Sequence, residues 1–408
     1  MDKKIMAHLI LNERVVNMEA SATLAMAQAA RDLAASGIDV ANLSTGEPDF
    51  PTPAIIREIA KKTLDQGKTH YVPVRGIKPM IEAMQKKFLR DQKVSYAPDE
   101  VMCTVGGKSA IWLALLALVN PGDEVIICAP FWVSYKEQIR LLGGVPKIVQ
   151  CHAHNNFMPD AHDIARAINK KTKAIIINSP NNPSGGVISQ SQLESLAEVL
   201  RGTDVFLLSD EIYERLLFDG HQHISPASLN ADMRERTIVI SGVSKAYAMT
   251  GFRVGVVAGI KPLIAAMEKL QGQDTTCLPE FIQASAAFAL LESEPVQAEI
   301  DRMLISYTER RDFGLSLFSR WPKVQVFKPQ GAFYLWVDFS AYMGHSIGQQ
   351  KLNDDVDLAT RMLKEAHVSS VPGLSFGAPG YLRFSIASAK DTIEKAYQRV
   401  DGWLKGAC

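Results

Sequence analysis

From about residue 99 onward, short apolar runs recur between helix-length segments. The runs fall at 101–105, 124–129, 173–178, 204–209, 237–241 and 254–259. Stretches such as EVIIC, KAIIIN, DVFLLS and TIVIS are nearly continuous in apolar residues, as strands covered on both faces must be. Their regular alternation with helical stretches predicts βαβ units and an α/β fold with a mostly parallel sheet between helices. Upstream, residues 1–45 read as an extended lead followed by an amphipathic helix. Ala22, Leu24, Ala25, Ala29, Leu33 and Ala34 fall near helical spacing there, and Gly37 ends the pattern. Pro48, Pro51 and Pro53 then forbid a helix interior across 44–53. A helix across 54–66, an irregular piece HYVPVRG at 70–76 and a helix across 77–91 complete this part. Beyond about 295 the alternation stops. A helical pattern at 295–320, strands at 324–327 and 332–337, a helix near 355–366 and a strand at 381–386 predict a smaller α+β domain. Repeats, low-complexity tracts and long linkers are absent from the sequence.

With 408 residues the chain has length for two or three domains. Its 44 basic and 44 acidic residues balance, which gives no footprint for nucleic acid or an anionic membrane. Cys103, Cys128, Cys151, Cys277 and Cys408 are odd in number and scattered. They have neither metal-site spacing nor the density of a disulfide scaffold, so a reducing compartment is expected. The start, MDKKIMAHLILNERV, reads as neither a secretory signal nor a membrane span. The expectation is a soluble, cytoplasmic protein.

Candidate chemistry gathers after the strands, where open parallel sheets bind their ligands. Gly106-Gly107-Lys108-Ser109 follows 101–105 and opens a helix, offering backbone N–H groups to an anion. Trp132 follows 124–129, Asn182 follows 173–178, Asp210 and Tyr213 follow 204–209, and Lys245 follows 237–241. Arg253 precedes the last run and could supply a fixed cation for a phosphate. Each residue has a plain structural reading: Lys245 as a surface lysine, Trp132 as core, Asn182 as a turn residue, Asp210 as a cap. Their shared edge favours one ligand instead. Pyridoxal phosphate has matching parts: an aldehyde for a lysine, a phosphate, a flat ring, a phenolic oxygen, and a nitrogen that a buried Asp would keep protonated.

The stretch SGVSKAYAMTGFRVG at 241–255 resembles the lysine motif of class I, fold-type I pyridoxal-phosphate aminotransferases. STGEPDF, THYVPVRG, TVGGKSA, PFWVSY, NSPNNPSG, SDEIYE, GAFYLW and YLRFSIA follow in the family's order, covering about 20 to 390. The GGK loop is most similar to that of one subgroup of bacterial aspartate aminotransferases. The resemblance implies a seven-stranded, mostly parallel sheet in a large cofactor-binding domain at 46–295. It also implies a small domain at 296–408, joined by the N-terminal segment 1–45.

It further implies that Lys245 carries the cofactor as an internal aldimine and moves the substrate proton. Asp210 would pair with the pyridine nitrogen, Tyr213 and Asn182 with the phenolic oxygen, and Trp132 would stack on the ring. Gly106, Gly107, Lys108, Ser244 and Arg253 would form the phosphate site, with Tyr71 reaching in from the partner of a homodimer. Arg383 and Gly46 would take the substrate α-carboxylate, and Lys108 with Thr23 the distal carboxylate. The implied activity is ping-pong transamination between L-aspartate and 2-oxoglutarate. Action on prephenate or aromatic substrates, or C–S lysis, is the alternative. Two departures bear on specificity: Asp274, where relatives more often have serine, and the run HSIGQQKLNDD at 345–355. An acid at 274 would repel a dicarboxylate if it faced the pocket.

Overall fold

The computed structural model describes residues 11–347 and 350–406. The extended lead expected over residues 1–10, part of the 345–355 run, and Cys408 therefore lie outside the described residues. Seven strands form the main sheet: β1 Val101–Val105, β2 Glu124–Ala129, β3 Val145–Gln150, β4 Thr172–Asn178, β5 Phe206–Asp210, β6 Thr237–Gly242 and β7 Val254–Ala258. Their order is β1-β7-β6-β5-β4-β2-β3. The run β6-β5-β4-β2-β3 is parallel, whereas β7 is antiparallel to both its neighbours. Ile126, Ile127, Ile175, Ile176, Leu207, Leu208, Val239 and Ile240 are buried in core clusters on the two faces. This explains their unbroken apolar runs. β3 is absent from the six apolar runs because it is an edge strand with mostly accessible residues. Lys147 and Gln150 break its pattern there, as exposed edges require.

The direction of β7 decides where Arg253 goes. Val105 at the end of β1 pairs with Val254 at the start of β7. A residue that precedes a strand thus arrives at the same edge as residues that follow one. Gly255 permits the close approach: a Cβ there would stand 2.6 Å from the Gly106 carbonyl carbon.

A second sheet, antiparallel throughout, has the order β10 Val371–Pro372, β11 Tyr381–Ser385, β9 Tyr334–Asp338 and β8 Gln325–Phe327. The helices Glu294–Phe318 and Lys390–Leu404 pack with it through a core that includes Phe318, Trp321, Phe384 and Trp403. Ala41–Asn42 pairs in parallel with Val368–Ser369, and Leu43 enters the same core.

The helix Ala22–Ala35 forms as expected but turns a different face inward. Ala27 and Ala30 are buried, whereas Leu24 is 64% exposed. The helix spans a cavity instead of lying on a core, so only a narrow stripe is covered. Among the described residues, no helix is long and apolar enough to cross a membrane. Cys103, Cys128, Cys151 and Cys277 are unpaired.

Candidate active site

The carboxyl edge of the main sheet, the 42–47 segment and β11 enclose a cavity of about 510 Å³. At its floor the helix Gly106–Leu118 begins directly after β1. Gly106 has φ +79°, a conformation that glycine adopts without a side-chain clash. A Cβ there would lie 2.5 Å from an Arg253 guanidinium nitrogen, so the absent side chain leaves that guanidinium its place. Gly107, Lys108, Ser244 and Arg253 all line the cavity. Unpaired N–H groups at a helix start beside an arginine make an anion site.

Asp210 ends β5 and is buried. Burial pushes its carboxyl up to about 6, against a hydrogen bond from Tyr135 and a weaker one from the Ile212 N–H. The Tyr135 hydroxyl donates to Oδ2 at 2.5 Å. The following turn carries Tyr213, whose hydroxyl lies 2.8 Å from that of Tyr334. Lys245 follows β6 and donates through Nζ to the Gly46 carbonyl. Burial, then the nearby Arg383 cation, lower its ammonium to about 8.

Arg383 is 1% exposed. Its guanidinium donates to Asn182 Oδ1 and to the Ser44 carbonyl, each at 2.9 Å, and stands 4.3 Å above the Tyr334 ring. Among the described residues, its Nε has no partner. Lys108 Nζ lies 4.9 Å from the Trp132 ring centre, and burial lowers its pKa. Arg31, Lys108, Lys245, Arg253 and Arg383 line the cavity against only Glu47 and Asp210. Among the described residues, none of these five cations forms an ion pair. Arg383 is buried and Lys245 half-buried, whereas Arg31, Lys108 and Arg253 reach solvent; a desolvated cation without a counterion is costly unless a ligand neutralises it. The set fits a group bearing a phosphate, a basic ring nitrogen and an amine-reactive carbonyl, together with a carboxylate substrate.

Most of the expected residues converge here: Thr23, Gly46, Gly107, Lys108, Trp132, Asn182, Asp210, Tyr213, Ser244, Lys245, Arg253 and Arg383 all line the cavity. Gly106 lies just behind, against Arg253. Tyr71 stands apart, 88% exposed and outside the cavity of its own chain. Asp274 is exposed and does not line the cavity of its own chain. Sequence reasoning passed over Tyr135, Tyr334, Glu47 and Arg31. Tyr135 lies one helical turn after Trp132 in PFWVSY and Tyr334 within GAFYLW, so their motifs were visible but their partners were not.

The raised Asp210 value has a thermodynamic consequence. An acid that is weaker in the folded state costs stability once pH exceeds its unfolded pKa, and the cost is complete above the folded one. Between 3.8 and about 6 that reaches roughly 3 kcal/mol. Cofactor-free Asp210→Asn is therefore expected to melt higher than the cofactor-free parent at pH 8. The gain should shrink toward pH 4, as differential scanning calorimetry would show.

Comparison with known proteins agrees with this architecture. The family described as aminotransferase class I and II matches residues 38–400. An aspartate/prephenate aminotransferase of Thermus thermophilus is 40% identical over 392 residues, covering 95% of this chain and 97% of its own. An aspartate aminotransferase of a Bacillus species is 38% identical, with 97% and 99% covered. The structure of Thermus thermophilus aspartate aminotransferase with maleate has a TM-score of 0.89 at 39% identity, covering 96% of this chain and 99% of that one. The chain belongs to the class I and II aminotransferases, pyridoxal 5′-phosphate-dependent transaminases of fold type I.

Proposed function

We propose that this transaminase exchanges the amino group of L-aspartate with 2-oxoglutarate, and that the cavity residues divide the work as follows. The observation that carries the reading is the buried, unpaired Arg383 facing Lys245 and Lys108 across one cavity. A substrate with carboxylates at both ends would neutralise cations at both ends. The bound cofactor supplies an aldehyde to take up the amino group and an electron sink for the pair left at Cα. Arg383 holds the α-carboxylate by two parallel hydrogen bonds, beside Gly46. Lys108, with Thr23, takes the distal carboxylate. Gly106, Gly107, Lys108, Ser244 and Arg253 hold the phosphate, and Trp132 covers the ring. Asp210, steadied by Tyr135, keeps a proton on the ring nitrogen. Tyr213 and Asn182 bind the ring oxygen. Lys245, with an ammonium near 8, is partly neutral at neutral pH, so Nζ could accept the substrate Cα proton and would deliver it to the cofactor's former aldehyde carbon, on the far side of the nitrogen.

Two relatives bear the name aspartate aminotransferase or aspartate/prephenate aminotransferase, which supports aspartate as donor and prephenate as a second acceptor. The segment 1–45 and residues 296–408 are read as one small domain beside a large domain at 46–295; the Ala41–Val368 pairing supports this. The exposed Tyr71, together with the exposed Leu11, Val15, Val16, Met18 and Leu24, supports a homodimer in which Tyr71 completes the partner's phosphate site. The scattered thiols support a cytoplasmic location.

The test is direct. Purified protein loaded with the cofactor should show a visible band that borohydride removes, with the label on Lys245. Aspartate should then yield oxaloacetate only when a keto acid is present. Release of pyruvate and ammonia without one would point to a lyase. Lys108→Ala is expected to lower kcat/KM for aspartate and glutamate by roughly 10–100-fold, the value of one charged hydrogen bond. Alanine should change little. Equal losses for all donors would reduce Lys108 to a phosphate-loop residue.

A further inference from the structure

Behind the turn that presents Asp210 and Tyr213 runs a buried chain of charges. The turn alternates in direction: residues 210 and 213 line the cavity, whereas Glu211 and Glu214 point to its rear. Glu211 meets His223 Nε2 at 2.8 Å and accepts from Ser209 and Ser225 hydroxyls at 2.8 and 2.7 Å. Gln92 donates to both glutamates. Glu214 accepts from the Ser241 hydroxyl at 2.6 Å, four residues before Lys245, and meets Lys87 Nζ at 2.5 Å. The chain continues from Lys87 to Asp91 at 3.5 Å, and from Asp91 to Arg90 at 2.7 Å. Arg90 and Arg215 each meet Glu292 at 3.0 Å.

The acids are Glu211, Glu214, Asp91 and Glu292; the permanent bases are Lys87, Arg90 and Arg215. With all four acids ionised, four charges against three leave the chain one positive charge short. His223 is the remaining titratable member, with its side chain 7% exposed. Its Nδ1 is buried without a partner among the described residues.

We propose that His223 is a positioning residue that carries a proton in the working enzyme, which makes this buried chain neutral and leaves Asp210 free of net charge from behind. The inference rests on the reading of Lys245 and Asp210 given above. Burial is the largest single influence on the imidazole and opposes its charged form, but Glu211, by charge and hydrogen bond, and Glu214 together outweigh it and the opposing Lys87, so the His223 pKa is raised. Tyr96, with Arg234 4.4 Å over its ring, is influenced by Glu211 on the same side. Glu211, Glu214 and His223 are close enough together to hold a metal ion. Lys87 and Gln92 already occupy the Glu214 carboxylate, and a divalent ion would overshoot the single charge required.

With His223 neutral, an unbalanced carboxylate would stand one residue from Asp210. A unit charge roughly 10 Å away, at an effective dielectric of about 20, moves a pKa by roughly one unit. In the loaded enzyme, the visible band tied to Lys245 reports that field through its own pH titration. His223→Gln is expected to shift the band's midpoint upward by about half to one unit, because negative charge favours the protonated form. His223→Gln with Glu211→Gln removes both charges and should return the midpoint to the parent value. A His223→Gln midpoint equal to the parent's, or a double variant shifted like the single one, overturns the proposal. Should the variants not fold, ¹⁵N NMR of histidine-labelled holoenzyme reads the same claim. A cationic ring through pH 8 supports it, and a neutral ring at pH 7 overturns it. Absence of any borohydride-sensitive band in the parent would instead overturn the reading of Lys245, so the two failures are distinguishable.

Discussion

Lys245→Ala is expected to abolish turnover. Positioned general acid–base catalysis alone is worth roughly 10²–10⁴-fold, and the same amine is also the proposed covalent anchor for the cofactor. A loss of more than about 10⁴-fold in kcat is the expected outcome. The cause is chemical, because the side chain lines the cavity, where it donates a hydrogen bond to the Gly46 carbonyl. The far-ultraviolet circular dichroism of the variant should match that of the parent. Added methylamine should restore some activity by supplying a mobile base. Near-parental rates in the variant would end the assignment.

Arg383→Ala is the second large effect. A bidentate guanidinium–carboxylate contact comprises two charged hydrogen bonds, each worth about 1.5–3 kcal/mol. The expected loss in kcat/KM is roughly 10²–10⁴-fold. It should extend to every amino donor, since each carries an α-carboxylate, which separates it from the donor-selective effect at Lys108. A second signature follows from the electrostatics. Arg383 is the largest cause after burial of the low Lys245 value near 8. Removing that cation favours the ammonium, so the pKa of Lys245 in the cofactor-free protein should rise. Chemical labelling of Lys245 as a function of pH would measure it. An unchanged KM together with an unchanged labelling profile would place the carboxylate clamp elsewhere.

These two effects also show why the charges are tolerated. Arg383 and Asp210 are buried, and Lys245 half-buried, in states that desolvation disfavours. The fold accepts this cost at one cavity while its core strands are nearly all apolar. Such a local conflict is where binding can return the lost free energy. The His223 chain is the opposite case, its charges matching internally once His223 carries the proposed proton.

Local pattern was enough for much of the architecture. β1 and β2 occupy the runs 101–105 and 124–129, and four more core strands fall within two residues of theirs, because burial on both faces demands unbroken apolar sequence. The site was legible to the extent that strand ends collect on one edge, so Gly107, Trp132, Asn182, Asp210 and Lys245 could be grouped by position alone. The edge strand β3 was not among the runs, since solvent on its outer side erases the pattern.

What only the tertiary structure decided is how distant segments meet. The reversed direction of β7 brings Arg253 against Gly106. Arg383, on a strand of the other sheet, reaches Asn182 and Ser44 across 201 and 339 residues of chain. Tyr135 finds Asp210 across 75 residues, and Glu211 and Glu214 turn away from the cavity toward Gln92 and Lys87. The physical reason is range. Hydrophobic periodicity is set by each residue's own neighbours and its burial, whereas a hydrogen bond or an ion pair depends on which surfaces the packed sheets finally place together.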